Sequence, residues 1–265
     1  MRTNNVHVVT VATSVKGKFN ELINNRFNTK VNVLGFGEKW TGFTMKFNLV
    51  SKYIEDLDDN DIVIFLDGFD SLIMKDPEDA VRKFKNKNVQ LLFSKESGNG
   101  GKLSISKYIF GSCKDNIVAN VGMYMGYVKY LKLVLNSVRD LTCKDDQVLI
   151  NQNCDHFNFI DIDRNNDIFQ NLSDKTQYNQ NATFVSYPGE ISFYRILERG
   201  IFEYSQFFTL IICLVAIISL IILVKIKNRI IKLLFLSIFI FFIYILMFMD
   251  KSCMCRKSRQ INQAA

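Results

Sequence analysis

The sequence predicts an α/β domain built on a mostly parallel sheet with helices on both faces, followed by two membrane-spanning helices. Three observations predict this. Residues 6–185 alternate short apolar runs with segments of helical periodicity. The run DIVIFL at 61–66 is apolar throughout and bounded by charge, the pattern of a strand buried on both faces. Two long uncharged stretches then follow, at 207–224 and 233–249.

The elements follow in order. Val6–Ala12 alternates as a strand, Lys16–Phe27 reads as a helix and Lys30–Leu34 as a second strand. Thr41–Leu57 places Phe43, Phe47, Val50, Tyr53, Ile54 and Leu57 near one helical face. Asp76 is positioned to cap a helix that Pro77 opens. Val89–Phe93 is the next strand, and the glycines around 98–101 predict a flexible loop. Ala119–Tyr127 reads as a strand and Val128–Arg139 as a helix, with late strands at Phe157–Ile162 and Thr183–Val185. No internal repeat or linker interrupts this block.

The predicted division is a domain over 1–200 and a hairpin of helices at about 205–224 and 231–249, with a short basic tail, in 201–265. Core helices carry a polar stripe, and these two do not. The lipid bilayer is thus an expected partner. Net charge is +7, but residues 201–265 hold eight Lys and Arg against two acids, so the preceding domain is nearly neutral. That argues against nucleic acid as its partner. MRTNN leads directly into a strand pattern, so no signal peptide is read and a cytosolic domain is expected. The charges themselves are ambiguous: Lys225, Lys227, Arg229 and Lys232 pull the loop inside, while Lys251, Arg256, Lys257 and Arg259 pull the tail inside. The sequons Asn171-Leu-Ser173 and Asn181-Ala-Thr183 suggest the opposite sidedness, although such triplets are common in an Asn-rich chain. The six cysteines read as free thiols of a reducing compartment, with Cys253 and Cys255 open to palmitoylation.

Ligands of such sheets bind beyond the carboxyl ends of the strands. There, Asp67-Gly68-Phe69-Asp70 follows DIVIFL, and two carboxylates three residues apart can share one hard cation, Mg²⁺ or Mn²⁺. Such a cation would hold a diphosphate and neutralise the charge of its departure. Asp as a turn or cap residue is the alternative. Lys144-Asp145-Asp146-Gln147 is a second acidic segment, which serves equally as a helix N-terminus. Thr10-Val11-Ala12-Thr13 ends the first strand; its hydroxyls could meet a nucleotide or cap the next helix.

Taken in order, VVTVAT (8–13), LGFGEKWTG (34–42), IVIFLDGFD (62–70), LLFSKES (91–97), NVGMYMGY (120–127), KDDQ (144–147) and IDIDRNNDIFQNL (160–172) resemble the glycosyltransferase domain of the procollagen-lysine hydroxylase (PLOD) family and the related collagen glycosyltransferases. The resemblance covers 6–190. It implies a GT-A, Rossmann-type fold using a UDP-sugar and Mn²⁺ (or Mg²⁺). By the same resemblance Asp67 and Asp70 bind metal and diphosphate, Phe69 contacts the uridine, and Thr13 faces the nucleotide. Asp145 and Asp146 lie at the transfer site, Asn120 and Gly122 near the sugar. The family's metal-binding histidine falls on Tyr187, a poor ligand while protonated, since a phenol's ordinary pKa is about 10. Glu190 is a possible substitute. The family's uridine-stacking tryptophan falls on Leu49, after Lys46. The hydroxylase half of that family is absent: His7 lies in the first predicted strand, and both His7 and His156 read as structural rather than as ligands of a two-histidine iron site. The expected activity is transfer of glucose or galactose from UDP-glucose or UDP-galactose to a hydroxyl of a protein or glycan acceptor, as in hydroxylysine or galactosyl-hydroxylysine of a collagen-like protein. The alternative is a degenerate transferase retained as a membrane scaffold.

Overall fold

A computed structural model describes residues 4–98, 100–139, 143–172, 177–187 and 198–253. The chain separates into two compact units, which part between Glu190 and Ile191.

The first unit is organised by a six-stranded sheet in the order β2-β1-β3-β6-β5-β7: β1 Val6–Val11, β2 Val31–Leu34, β3 Ile62–Asp67, β5 Leu91–Lys95, β6 Ala119–Tyr127 and β7 Ile160–Ile162. Every pairing is parallel except those of β6, which runs against both β3 and β5. A smaller sheet, β4-β9-β8, joins Ser71–Ile73, Phe184–Ser186 and Phe169–Asn171. The expectation of a mostly parallel sheet holds, and the direction of β6 matters for the site. Its N-terminal end arrives at the edge where β3 and β5 finish, with Leu66 opposite Met123 and Ser94 opposite Asn120.

Strand β3 is buried on both faces because its side chains alternate between two apolar layers. Ile62, Ile64 and Leu66 share a core with Leu22, Ala80, Phe84, Phe169 and Phe184. Val63 and Phe65 face the opposite layer, where Phe65 stacks on Tyr124 at 4.8 Å between ring centroids. The helices are α1 Phe19–Ile23, α2 Thr44–Ile54, α3 Pro77–Asn86, α4 Gly100–Phe110, α5 Val128–Val138 and α6 Asp146–Asn153. Asp76 caps α3 as expected, its carboxylate accepting from Glu78 N at 3.0 Å, with Pro77 in the first turn.

Three local expectations are corrected. The helix over 16–27 contracts to α1 because the Asn25 side chain takes over the backbone groups that would extend it. Its amide donates to Leu22 O and Thr29 O, and its carbonyl accepts from Phe27 N and Thr29 N. The glycines at 98–101 lead into α4 rather than forming only a loop; Gly98 and Gly100 take positive φ at its entry. Cys113 and Cys154 are a disulfide, not free thiols: the turn before β6 and the end of α6 bring their Cα atoms to 5.6 Å. Cys143 and Cys253 are disulfide-bonded as well, which removes Cys253 from the palmitoylation reading and leaves Cys213 as the free thiol among the described cysteines.

In the second unit, a helical stretch from Arg199 runs into α7 Thr209–Lys225, and α8 Arg229–Phe248 follows. Asn228 caps α8, its side-chain oxygen Oδ1 accepting from Ile230 N and Ile231 N. Both helices are long and apolar enough to cross a membrane. Most of their large apolar side chains are exposed. Ile212, Ile245 and Met249 meet in the small buried cluster between them.

Candidate active site

The sequence DGFD turns sharply off β3 and lies against the end of β1. Gly68 allows that approach, since a Cβ there would sit 2.7 Å from Val11 O and 2.9 Å from Thr10 Oγ1. The Thr10 hydroxyl donates to Leu66 O at 2.7 Å, locking the two strand ends together. Gly17, at φ +51°, passes over the Phe69 carbonyl, and Lys18 N donates to it at 2.8 Å. Gly68→Ala is expected to cost about 1–3 kcal/mol through overpacking at this crossing. Urea midpoints of the two proteins check it; a change under a few tenths of a kcal/mol would mean the strand ends are not so closely seated.

Asp67 and Asp70 lie together at this edge. The Asp70 carboxylate accepts from Ser186 Oγ at 3.0 Å, and its backbone carbonyl from Tyr187 N at 2.8 Å. Burial, and then the neighbouring Asp67 carboxylate, push the Asp70 carboxyl up to about 7. Two carboxylates that resist joint ionisation are what a bound cation relieves. Among the described residues no third His, Cys, Asp or Glu completes a cluster with them. Mg²⁺ sites commonly use one or two carboxylates and take their remaining ligands from phosphates and water. The acid pair therefore fits a cation carried with a diphosphate.

In sequence Lys46 marks only the position ahead of Leu49; in the fold, on α2, it sits at the centre of the site. Its ammonium is buried, 2.6 Å from Asp146 Oδ2 and 3.7 Å from Asp67 Oδ2. Burial acts to lower its pKa, but Asp146 and Asp67 outweigh it and hold the ammonium above its ordinary value. One cation thus joins the DGFD loop to the KDDQ segment. Asp146 is only 4% exposed. Asp145 does something different. It is the N-cap of α6, its carboxylate accepting from Val148 N at 2.9 Å. The acidic segment therefore divides, one carboxylate capping a helix and the other facing the site.

A second network lies alongside. The shift of register between Phe93 and Ser94 redirects β6 at this edge. Asn120 Nδ2 donates to Glu96 Oε2 at 2.9 Å, and Gln147 Nε2 to the same oxygen at 2.8 Å. The Asn120 side-chain oxygen Oδ1 accepts from Gly122 N at 2.9 Å. A Cβ on Gly122 would stand 2.9 Å from Asn120 Oδ1 and 3.8 Å from Asp67 Cβ, so Gly122 keeps the space beside Asp67 open. Glu96 lies inside LLFSKES, but nothing in the local pattern marks it as the acceptor for two amides.

The remaining sequence-predicted positions are placed as follows. Thr13 lies two residues past the end of β1, and its carbonyl accepts from Gly37 N at 3.0 Å, joining it to the LGFG turn. Leu49 packs over Gly35 of that turn, where a Cβ would meet its Cδ1 at 2.7 Å. Phe69 is half-buried. Tyr187 meets Asp70 through its backbone; its ring lies under Lys18 Nζ at 5.4 Å and beside Leu172, Ala182 and Val185. Glu190 lies outside the described residues. His7 is held between Asp61, at 3.2 Å, and the Tyr53 hydroxyl, at 3.3 Å, in the role of a structural residue.

Residues 2–186 match the PLOD GT domain, which is well over half of the chain. This protein belongs to the PLOD GT domain family. Relatives of this PLOD GT domain include procollagen-lysine,2-oxoglutarate 5-dioxygenase 1 of Bos taurus, 31% identical over 102 residues, covering 35% of this chain and 14% of that protein. The human multifunctional procollagen lysine hydroxylase and glycosyltransferase LH3 is 24% identical over 183 residues, covering 63% of this chain and 25% of its own length. The chain thus spans a quarter or less of these curated relatives. Among solved structures, the galactosyltransferase LgtC superposes at a TM-score of 0.39 with 13% identity, covering 63% of this chain and 70% of its own. The WbbM bifunctional glycosyltransferase superposes at 0.41 with 9% identity, covering 71% and 46%.

Proposed function

We propose that this PLOD GT domain is a membrane-anchored hexosyltransferase. It takes glucose or galactose from UDP-glucose or UDP-galactose and transfers it to a hydroxyl acceptor. Hydroxylysine or galactosyl-hydroxylysine of a collagen-like protein is the acceptor in this reading, in keeping with a relative named as a procollagen lysine hydroxylase and glycosyltransferase. The observation that carries the reading is the convergence of Asp67, Asp70, Lys46 and Asp146 at one edge of the sheet.

Each side chain has its own role in this reading. Asp67 and Asp70 hold Mn²⁺ or Mg²⁺, which when bound neutralises charge on the departing diphosphate. Thr13 and Phe69 border the nucleotide, and Asn120, steadied by Glu96, borders the sugar beside Gly122. Asp146 orients the acceptor hydroxyl or takes its proton; Asp145 supports it by fixing the start of α6. Tyr187 backs the metal loop through its backbone. Helices α7 and α8 hold the protein in a bilayer.

A second reading, a scaffold that retains the fold without turnover, is favoured by Tyr187 and Leu49 at the family's histidine and tryptophan positions, and by the closed Lys46–Asp146 pair.

Calorimetric titration of UDP into the detergent-solubilised full chain, with and without Mn²⁺, separates the two. The transferase reading expects Mn²⁺-dependent UDP binding; absence of binding in both conditions supports the scaffold. The pH course has a defined sign. Asp70 is raised from 3.8 to about 7 on folding, so its ionisation opposes the metal-free fold increasingly as pH rises across that interval. To serve as a ligand to Mn²⁺, Asp70 would have to give up that proton. Metal affinity is therefore expected to rise between pH 5 and about 7 and then level off, with proton release visible below pH 7. A flat profile across this range would remove Asp70 from the metal site.

A further inference from the structure

Three features outside the active site bear on which side of a membrane this domain occupies. The first is the buried Cys113–Cys154 disulfide, which joins segments 41 residues apart in sequence. Structural disulfides form and persist in oxidising compartments and are rare in the cytosol. The one free thiol among the described cysteines is Cys213, inside α7.

The second is the contrast between the two sequons. Asn171 lies in β8 at 4% exposure, and its amide donates to Ser94 Oγ at 3.1 Å and Lys95 O at 2.7 Å. A glycan on that nitrogen is incompatible with the fold. Asn181 is exposed on the turn before β9. Its backbone is fixed there, the N–H donating to Asn179 Oδ1 at 3.0 Å and the carbonyl accepting from Lys83 Nζ at 2.6 Å. Its side-chain amide makes no hydrogen bond among the described residues, and a glycan would project into solvent.

The third is the short connection between α7 and α8, around which Lys225, Lys227, Arg229 and Lys232 cluster. Short basic loops stay on the cytosolic side. If that loop is cytosolic, one crossing by α7 places the first unit on the opposite side, and one crossing by α8 places the basic tail there with it. The tail's own charges oppose this arrangement, and the disulfide decides between the two.

We propose that the transferase unit faces the oxidising, non-cytosolic side of its membrane and carries a single N-linked glycan, at Asn181. This replaces the cytosolic placement expected from sequence, and it rests on the membrane-anchored part of the proposed function. In the oxidation, the Cys113 and Cys154 thiols lose two protons and two electrons to a protein disulfide of that compartment, which becomes a dithiol. In the glycosylation, Asn181 Nδ2 displaces the diphosphate of a polyprenyl-diphosphate-linked oligosaccharide. A C–N bond forms at the sugar's anomeric carbon, its C–O bond to the diphosphate breaks, and Nδ2 gives up a proton.

The test is translation of the full chain with microsomes derived from endoplasmic reticulum. The expected result is one mobility shift removed by endoglycosidase and absent from Asn181→Gln. Under denaturing conditions, Cys113 and Cys154 are expected to react with maleimide only after reduction. A carbonate-resistant chain that carries no glycan, and whose Cys113 and Cys154 alkylate without reductant, overturns the sidedness. A glycan that survives Asn181→Gln, or protected thiols without any glycan, overturns the Asn181 assignment. A chain released by carbonate and unglycosylated removes the membrane reading and this proposal together. None of these measurements depends on UDP binding, so the catalytic reading stands or falls separately.

Discussion

Asp67→Asn with Asp70→Asn is expected to abolish metal-dependent binding of UDP and any UDP-sugar turnover while the domain stays folded. Both side chains end at one edge, and no third His, Cys, Asp or Glu joins them among the described residues. Removing both carboxylates therefore removes the charged ligands that a cation could use. The loss of turnover should reach the limit of the assay rather than a modest factor. Stability should move the other way. Asp70 is raised by burial and by Asp67, so its ionised form opposes folding at neutral pH, and the amide relieves that opposition. The metal-free double variant should match or exceed the parent's melting temperature at pH 8, and should gain nothing from Mn²⁺. Calorimetry with UDP and thermal melts with and without Mn²⁺ check both halves. Retained turnover in the folded variant would sink the metal assignment.

Lys46→Met is expected to be among the most damaging single substitutions in the domain. It leaves Asp146, 4% exposed, without the ammonium that stands 2.6 Å away. Breaking a buried pair by removing one partner costs about 3–5 kcal/mol. A domain of ordinary stability, about 5–15 kcal/mol, would lose a large share of it. Lys46→Met combined with Asp146→Asn should recover much of the stability and none of the activity. Denaturant midpoints for both singles and the double form the required cycle. A cost below about 1 kcal/mol for Lys46→Met would place the pair in solvent-exposed territory, where ion pairs contribute little. The cycle also bears on the scaffold reading. A pair that only stabilises the fold tolerates apolar replacement, whereas a pair that orients an acceptor does not.

Cysteine chemistry shows where local reading ends. Cys113 and Cys154 sit in segments with no shared pattern, and only the pairing of β6 with β5, followed by the return of α6, sets their Cα atoms 5.6 Å apart. Composition suggested free thiols because it counts residues without knowing which of them meet. The acidic segment carries a similar lesson. Helix N-terminus and site-facing acid both apply, to different residues. Asp145 caps α6 because its backbone is extended while that of Asp146 is already helical, which turns the neighbouring carboxylates in different directions.

Local pattern is enough for the alternation of strands and helices, the buried character of β3, the Asp76 cap, the position of DGFD at a strand end and the two long apolar helices. Each rests on periodicity, capping chemistry or hydropathy, which act over a few neighbouring residues. The ordered motifs also placed the chain among the PLOD GT domains, because a series of unrelated short segments in fixed order is far more specific than any one of them. Long-range packing is needed to see that β6 runs antiparallel, that Lys46 spans Asp146 and Asp67, that Glu96 gathers Asn120 and Gln147, and that Cys113 pairs with Cys154. Lys46 and Asp146 are 100 positions apart, and Glu96 and Gln147 are 51 apart. Contacts of that range follow from how helices pack across a sheet. A buried lysine looks like any other lysine in the sequence until the carboxylates that hold it are brought to its side.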